Sequence, residues 1–119
     1  MVALGAAVGA PCRYLLDQWV KSRQSSALPL GTLLINLSGS AVLGCLLGLA
    51  ARGALGSELL AALGTGWCGA FTTYSTFSFE AVALAKQGRL SAATGYVLVS
   101  VVGGLLLAWC GVEIGSALG

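Results

Sequence analysis

The run Gly69-Ala70-Phe71-Thr72-Thr73-Tyr74-Ser75-Thr76-Phe77-Ser78 places five Ser and Thr hydroxyls, one phenol and two Phe rings inside an otherwise apolar segment. No charged residue lies between Glu58 and Glu80, so residues 59–79 form an uncharged stretch of 21 residues. A helix needs about 20 residues to cross a bilayer. Hydroxyls at that depth require protein partners, because hydrocarbon supplies none. Thr72, Thr73, Ser75, Thr76 and Ser78 cover every face of a helix, and Gly64, Gly66 and Gly69 precede them. The run therefore predicts locally unwound backbone lining a polar path, with freed carbonyls able to bind a cation or neighbouring hydroxyls.

The rest of the chain fits that setting. It has 119 residues, 57% hydrophobic and 8% charged, where soluble domains carry about 25% charged residues. The composition predicts one polytopic membrane domain over residues 1–119. A net charge of +2 is too small and too dispersed for nucleic-acid binding. The first segment lacks a basic leader region and is interrupted by Arg13, so it reads as retained rather than as a signal peptide. Cys12, Cys45, Cys68 and Cys110 lie in apolar segments without C-x-x-C spacing, and there is no His. They read as small packing residues, with neither zinc nor thiol–disulfide chemistry supported.

Charge-free windows predict four spans, at approximately 2–20, 29–51, 59–85 and 90–113. Pro29 suits a helix entry, and Gly111 marks the region where the fourth span ends. The first and third loops hold Lys21, Arg23, Lys86 and Arg89, against Arg52 alone on the other side. The positive-inside rule places those two loops in the cytoplasm. Four thin helices can hardly enclose a polar pathway, so an oligomer is expected.

Stripes at i+4 spacing mark the helix faces. In the first span they are Gly5, Gly9, Arg13, Asp17 and Lys21. Arg13 reads either as part of an anion pathway or as an Asp17-paired, snorkelling residue. The second span carries Thr32, Asn36, Ser40, Gly44 and Gly48, where Asn36 serves helix packing or donates its amide to an anion. The fourth carries Tyr96, Ser100, Gly104 and Ala108. Tyr74 and Phe77 stand three apart, so their rings can align and turn their partly positive edges toward a small anion.

With these residues the chain resembles the Fluc (CrcB-type) family of small fluoride channels. The resemblance covers essentially the whole chain. It lies in Gly9-Ala-Pro-Cys-Arg13-Tyr14, in Gly31-Thr-Leu-Leu-Ile-Asn36-Leu-Ser-Gly39 and above all in Gly66-Trp-Cys-Gly69-Ala-Phe-Thr-Thr-Tyr-Ser-Thr-Phe-Ser-Phe-Glu80. It implies an all-α integral membrane fold, with a third helix broken mid-membrane and two fluoride pores in an antiparallel, dual-topology dimer. It also implies a structural, untransported Na⁺ held by backbone carbonyls of both subunits, matched here by Gly69 and Thr72. The pore positions match Asn36, Tyr74, Ser75, Thr76, Phe77, Tyr96 and Ser100, with Arg13 in the vestibule and Glu80 near the pore mouth. Tyr74 stands where the family usually has Phe, Ala70 replaces a common second Gly, and Gly104 stands where a third track hydroxyl can occur.

The implied activity is passive export of fluoride: Arg13 concentrates the anion, hydroxyls and the Asn36 amide replace its water, and ring edges face it. A series of weak sites permits exit as well as entry. Two other readings stand beside it. A proton-coupled exporter of cationic drugs needs a membrane-embedded carboxylate in the first helix, where this chain has Arg13, with Asp17 near the end. A non-transporting scaffold would use the Gly stripes for assembly alone, and does not account for hydroxyls on all faces of the third span. Enzymatic chemistry is not indicated, for lack of a His, a catalytic carboxylate pair or a nucleophile–base arrangement. The expected partner is a second copy of the chain, or a related chain in a heterodimer, since the loop charges favour one orientation.

Overall fold

A computed structural model describes residues 1–23 and 28–119. The described residues are helical, with no strands. Helix α1 spans Val2–Arg23 and α2 spans Leu30–Ala51. The third segment is composite: α3 (Ser57–Leu60) runs into a π-helical stretch (Ala61–Cys68) and a last turn, α4 (Gly69–Phe71). Helical geometry stops at Thr72, which is extended at φ −82°, ψ 162°. It resumes in α5 (Ser75–Lys86), and α6 (Leu90–Leu118) closes the chain. Left-handed glycines, Gly53 and Gly88, each at φ +76°, turn the chain out of α2 and α5.

The long helices are joined along glycine seams. On α2, Gly44 and Gly48 lie against the α6 backbone at Ala108 and Val112, and Gly111 and Gly115 answer against Ala41 and Cys45. A Cβ at any of the four would overlap a backbone carbonyl of the opposite helix. A second seam joins α1 to the π-helical stretch: Gly5 and Gly9 meet Ala62 and Trp67, and Gly66 meets Val2. The Gly5–Gly9 end of the first stripe is thus a packing surface, as small residues permit where no hydrophobic force separates helix from lipid.

Large side chains point mostly outward. Few large residues are almost fully buried, Ile35, Leu84 and Phe71 among them, while Leu4, Leu15, Leu98, Leu105 and Trp109 are each more than half exposed. Two helices, Leu30–Ala51 and Leu90–Leu118, are long and apolar enough to cross a membrane. Only 6% of the apolar window in α6 is buried, the reverse of a soluble core helix. The first segment continues to Arg23, and α6 runs past the boundary expected near residue 113 as far as Leu118. Gly111 does not end that helix, because it and Gly115 are interior members of the seam with α2.

The seams predict opposite responses to added carbons. Gly44→Val or Gly111→Val should lower stability by about 1–3 kcal/mol or more, as overpacking does. Gly95→Ala, where an added Cβ meets nothing within 4 Å, should be neutral or gain up to about 1 kcal/mol from helix propensity. Thermal melts of the detergent-solubilised protein would check both; equal melts for all three variants would refute the seam.

Candidate functional site

Three elements converge where the third segment loses its helix. Asn36 on α2 faces Thr73 and makes two bonds to one residue: its Nδ2 donates to the Thr73 carbonyl at 2.9 Å, and its Oδ1 accepts from the Thr73 N–H at 2.9 Å. A side-chain amide carries a donor and an acceptor on separate atoms and so can serve a peptide N–H and C=O together. Thr72 is fixed just before it. Its N–H and its hydroxyl both donate to the Cys68 carbonyl, at 2.9 and 2.8 Å, and its methyl lies over Gly39 of α2. Thr73 Oγ1 then accepts from the Thr76 N–H at 3.2 Å, starting α5.

These bonds redirect two donors. In a continuous helix the Thr73 N–H would serve the Gly69 carbonyl and the Thr76 N–H would serve the Thr72 carbonyl. Here they go to Asn36 Oδ1 and Thr73 Oγ1. Gly69 and Thr72 are thereby left without those helical donors. No cluster of three or more His, Cys, Asp or Glu side chains that could hold a metal ion occurs among the described residues.

A groove of about 400 Å³ opens beside this segment. It gathers Asn36 and Ser40 from α2, Gly69 and Thr72 to Tyr74 from the interrupted segment, Phe77 from α5 and Ser100 from α6. Tyr74 and Phe77 have ring centroids 6.1 Å apart, tilted by 47°. Phe77 in turn meets Tyr96 at 5.3 Å. Tyr96 is buried with Leu84 and Ala93 behind Phe77, so it backs the ring wall without lining this groove. The Ser100 hydroxyl is buried and has no hydrogen-bond partner among the described residues, whereas the buried Tyr96 hydroxyl lies beside Thr32. Ser40 Oγ donates to the Asn36 carbonyl at 2.9 Å and sits 3.5 Å from where a Gly104 Cβ would stand. A hydroxyl from α2 thus lies at the level where the α6 stripe lacks one.

Other expected site residues fall outside the groove. Ser75 and Thr76 are exposed, and Tyr74, which does line it, is 81% exposed. Glu80 accepts a hydrogen bond from the buried Thr32 hydroxyl. Arg13 is half-buried on α1. It is not paired with Asp17, which bridges Lys21 at 3.0 Å and rests against Gly31 at the start of α2. Sequence reasoning missed Thr32 and Thr73 as site members. Thr32 was findable, since it lies four residues before Asn36 on the same stripe. Thr73 was not, because it takes part through its backbone.

The bond pair sets a test. Asn36→Ala removes both partners of the Thr73 peptide groups and should cost about 1–3 kcal/mol, the usual penalty for buried polar groups left unmade. Asn36→Asp keeps the acceptor and loses the donor. Hydrogen exchange should therefore show the Thr73 amide deprotected in the first variant and still protected in the second. Unchanged protection in Asn36→Ala would overturn the assignment.

The family model described as "CrcB-like protein, Camphor Resistance (CrcB)" matches residues 1–112. The protein named Fluoride-specific ion channel FluC 1 of Nocardia farcinica is 52% identical over 101 residues, covering 85% of this chain and 68% of that protein. FluC 2 of Moorella thermoacetica is 46% identical, covering 92% of this chain and 89% of its own length. FluC 1 of Streptomyces avermitilis is 45% identical over 99% of this chain and 95% of its own.

Proposed function

The chain belongs to the CrcB-like family, and we propose that it works as a fluoride-specific channel, exporting the anion passively from the cell along the groove at Asn36, Phe77 and Ser100. The observation that carries this reading is the convergence of α2, the interrupted third segment and α6 on one small, mostly apolar groove with a few convergent polar groups. Fluoride is small and strongly hydrated, so a path for it must replace water with donors at each step. The Asn36 amide has a second N–H beyond the one given to Thr73. Ser100 carries a hydroxyl without a protein acceptor among the described residues, and Tyr96 stands behind Phe77 on the same path. The tilted rings of Tyr74 and Phe77 offer edges in place of full charges. Ser75 and Thr76 belong to the same path where α5 begins. Arg13 and Glu80 flank it as vestibule residues, Glu80 with its carboxylate held by Thr32. This is transport and not enzymatic catalysis.

A single chain does not close that path. Tyr74, Ser75 and Thr76 are exposed, and hydroxyls exposed to hydrocarbon are costly. A second copy laid against this face would cover them, and an antiparallel arrangement gives a dual-topology homodimer with two pores; a related chain inserted the opposite way would serve equally. In the bilayer of the cell membrane the third segment then breaks mid-span. The Gly69 and Thr72 carbonyls, relieved of their helical donors, are suited to a structural Na⁺ shared between the two copies, since a hard cation takes oxygen ligands. Bound there, Na⁺ would supply positive charge at the interface and no transported cargo. The rival proton-coupled exporter finds no free carboxylate on α1, because Asp17 is paired with Lys21.

Fluoride efflux from proteoliposomes containing this chain alone tests the reading. The wild type should pass fluoride and retain chloride. Phe77→Ile and Asn36→Ala should each lose tenfold or more, the consequence of removing about 1.4 kcal/mol of support for the ion. No flux from the wild type, restored by a related chain, would replace the homodimer by a heterodimer; no flux in either case would defeat the channel.

Sodium has its own measurement. At about 100 times its dissociation constant a bound ion adds about 2.7 kcal/mol, so the melting temperature of the dimer should rise in Na⁺ relative to N-methylglucamine. Indifference to that exchange would remove the site.

A further inference from the structure

A second groove, of about 330 Å³, lies at the end of the molecule where α2 and α6 begin. Leu28, Leu30 and Leu33 line one wall, Val99 and Tyr96 the other, and Arg89 is the only charged residue on it. Arg89 immediately precedes α6 and is exposed. The same end carries Lys21, Arg23 and Lys86, which makes four of the six basic residues of the chain. Lys21 is engaged by Asp17, and the Arg23 guanidinium lies 5.3 Å over the Trp19 ring. Arg89 and Lys86 have no acidic partner among the described residues.

The geometry points to a binding site for one anionic phospholipid, with an acyl chain along the apolar groove and its phosphate at Arg89. A lipid fits both halves of the site. The walls are mostly aliphatic, with the Tyr96 ring among them, as suits an acyl chain, and the charged group among the described lining residues is a guanidinium, the side chain best matched to a phosphate. Free phosphate would satisfy Arg89 and leave the leucine walls uncovered. The surrounding cations add a general attraction for anionic headgroups, worth about 1 kcal/mol for each Lys or Arg near the surface. Trp19, 54% exposed at the same end, is the kind of aromatic residue that settles at the headgroup level. In an antiparallel dimer the two copies would present this site once in each leaflet. The inference rests on the membrane reading above and not on conduction.

Gly95 supplies the discriminating variant. It lines the groove, and an added Cβ there meets nothing within 4 Å, so Gly95→Phe can fill the space without forcing the helices apart. Native mass spectrometry of the full chain in mild detergent would count retained lipid after incubation with phosphatidylglycerol or phosphatidylcholine. The wild type should retain one phosphatidylglycerol per chain with about fivefold preference over phosphatidylcholine. Arg89→Gln should abolish the preference, and Gly95→Phe should abolish retention of both lipids. Glycerol phosphate should not displace the bound lipid. The proposal is overturned by equal retention of the two lipids in the wild type, by unchanged retention in Gly95→Phe, by displacement with glycerol phosphate, or by retention in monomers only, which would mean that a second copy covers the groove. Lipid counts do not depend on fluoride flux, so failure here and failure of the channel reading are told apart.

Discussion

The paired hydrogen bonds between Asn36 and the Thr73 peptide groups are the constraint on which the site depends. A chain that leaves its helix inside an apolar bundle exposes an N–H and a C=O, and each must find a partner. Asn36 provides both, at 2.9 Å each. The interruption is thereby confined to Thr72, Thr73 and Tyr74, and its direction is set by α2. Thr72 lies extended with its methyl on Gly39, and α5 restarts under a bond from Thr73. The rings of Tyr74 and Phe77 and the redirected donors of the Gly69 and Thr72 carbonyls all descend from that pair of contacts.

The glycine seams supply the second requirement, which is rigidity without bulk. Asn36 reaches Thr73 only because α2 is held firmly by α6 on its far half and because the π-helical stretch is pinned against α1. Along α2 the i+4 stripe divides in function. Thr32, Asn36 and Ser40 face polar partners, whereas Gly44 and Gly48 meet the α6 backbone. One regular spacing thus yields a polar half and a packing half, decided by which neighbour each turn meets.

That division explains what could and could not be read from the residues alone. Spacing left Asn36 and Ser100 open between helix contact and path, and the family resemblance named them with Phe77 as pore positions; the hydroxyl run marked where regular helix was unsuited, and these three residues line one groove. Periodicity does not report what a side chain bonds, so the choice of the Thr73 backbone as the target of Asn36 was not legible. The pairing of Asp17 was open for the same reason. Two cations, Arg13 and Lys21, stand at i−4 and i+4 from it, and only the fold shows that Lys21 takes it. The true end of α6 was hidden because glycine signals both a helix stop and a helix contact, and Gly111 is the second.

The distribution of unmet hydrogen-bonding groups ties stability to conduction. Ser100 carries a buried hydroxyl without a partner among the described residues, at a cost of about 1–3 kcal/mol for such a group. A fold can retain that cost where the group serves as a donor to something that passes. On the proposed channel reading, an anion shedding water at Ser100 would gain a donor that no described protein group is using, so part of its dehydration penalty would be offset by relief of the hydroxyl's own. Fully satisfied hydroxyls would have to break a bond first, which would raise the barrier, and charged donors would hold the ion too tightly to release it. Neutral, under-used hydroxyls beside ring edges lie between those limits, as a channel requires of sites that an ion must both enter and leave.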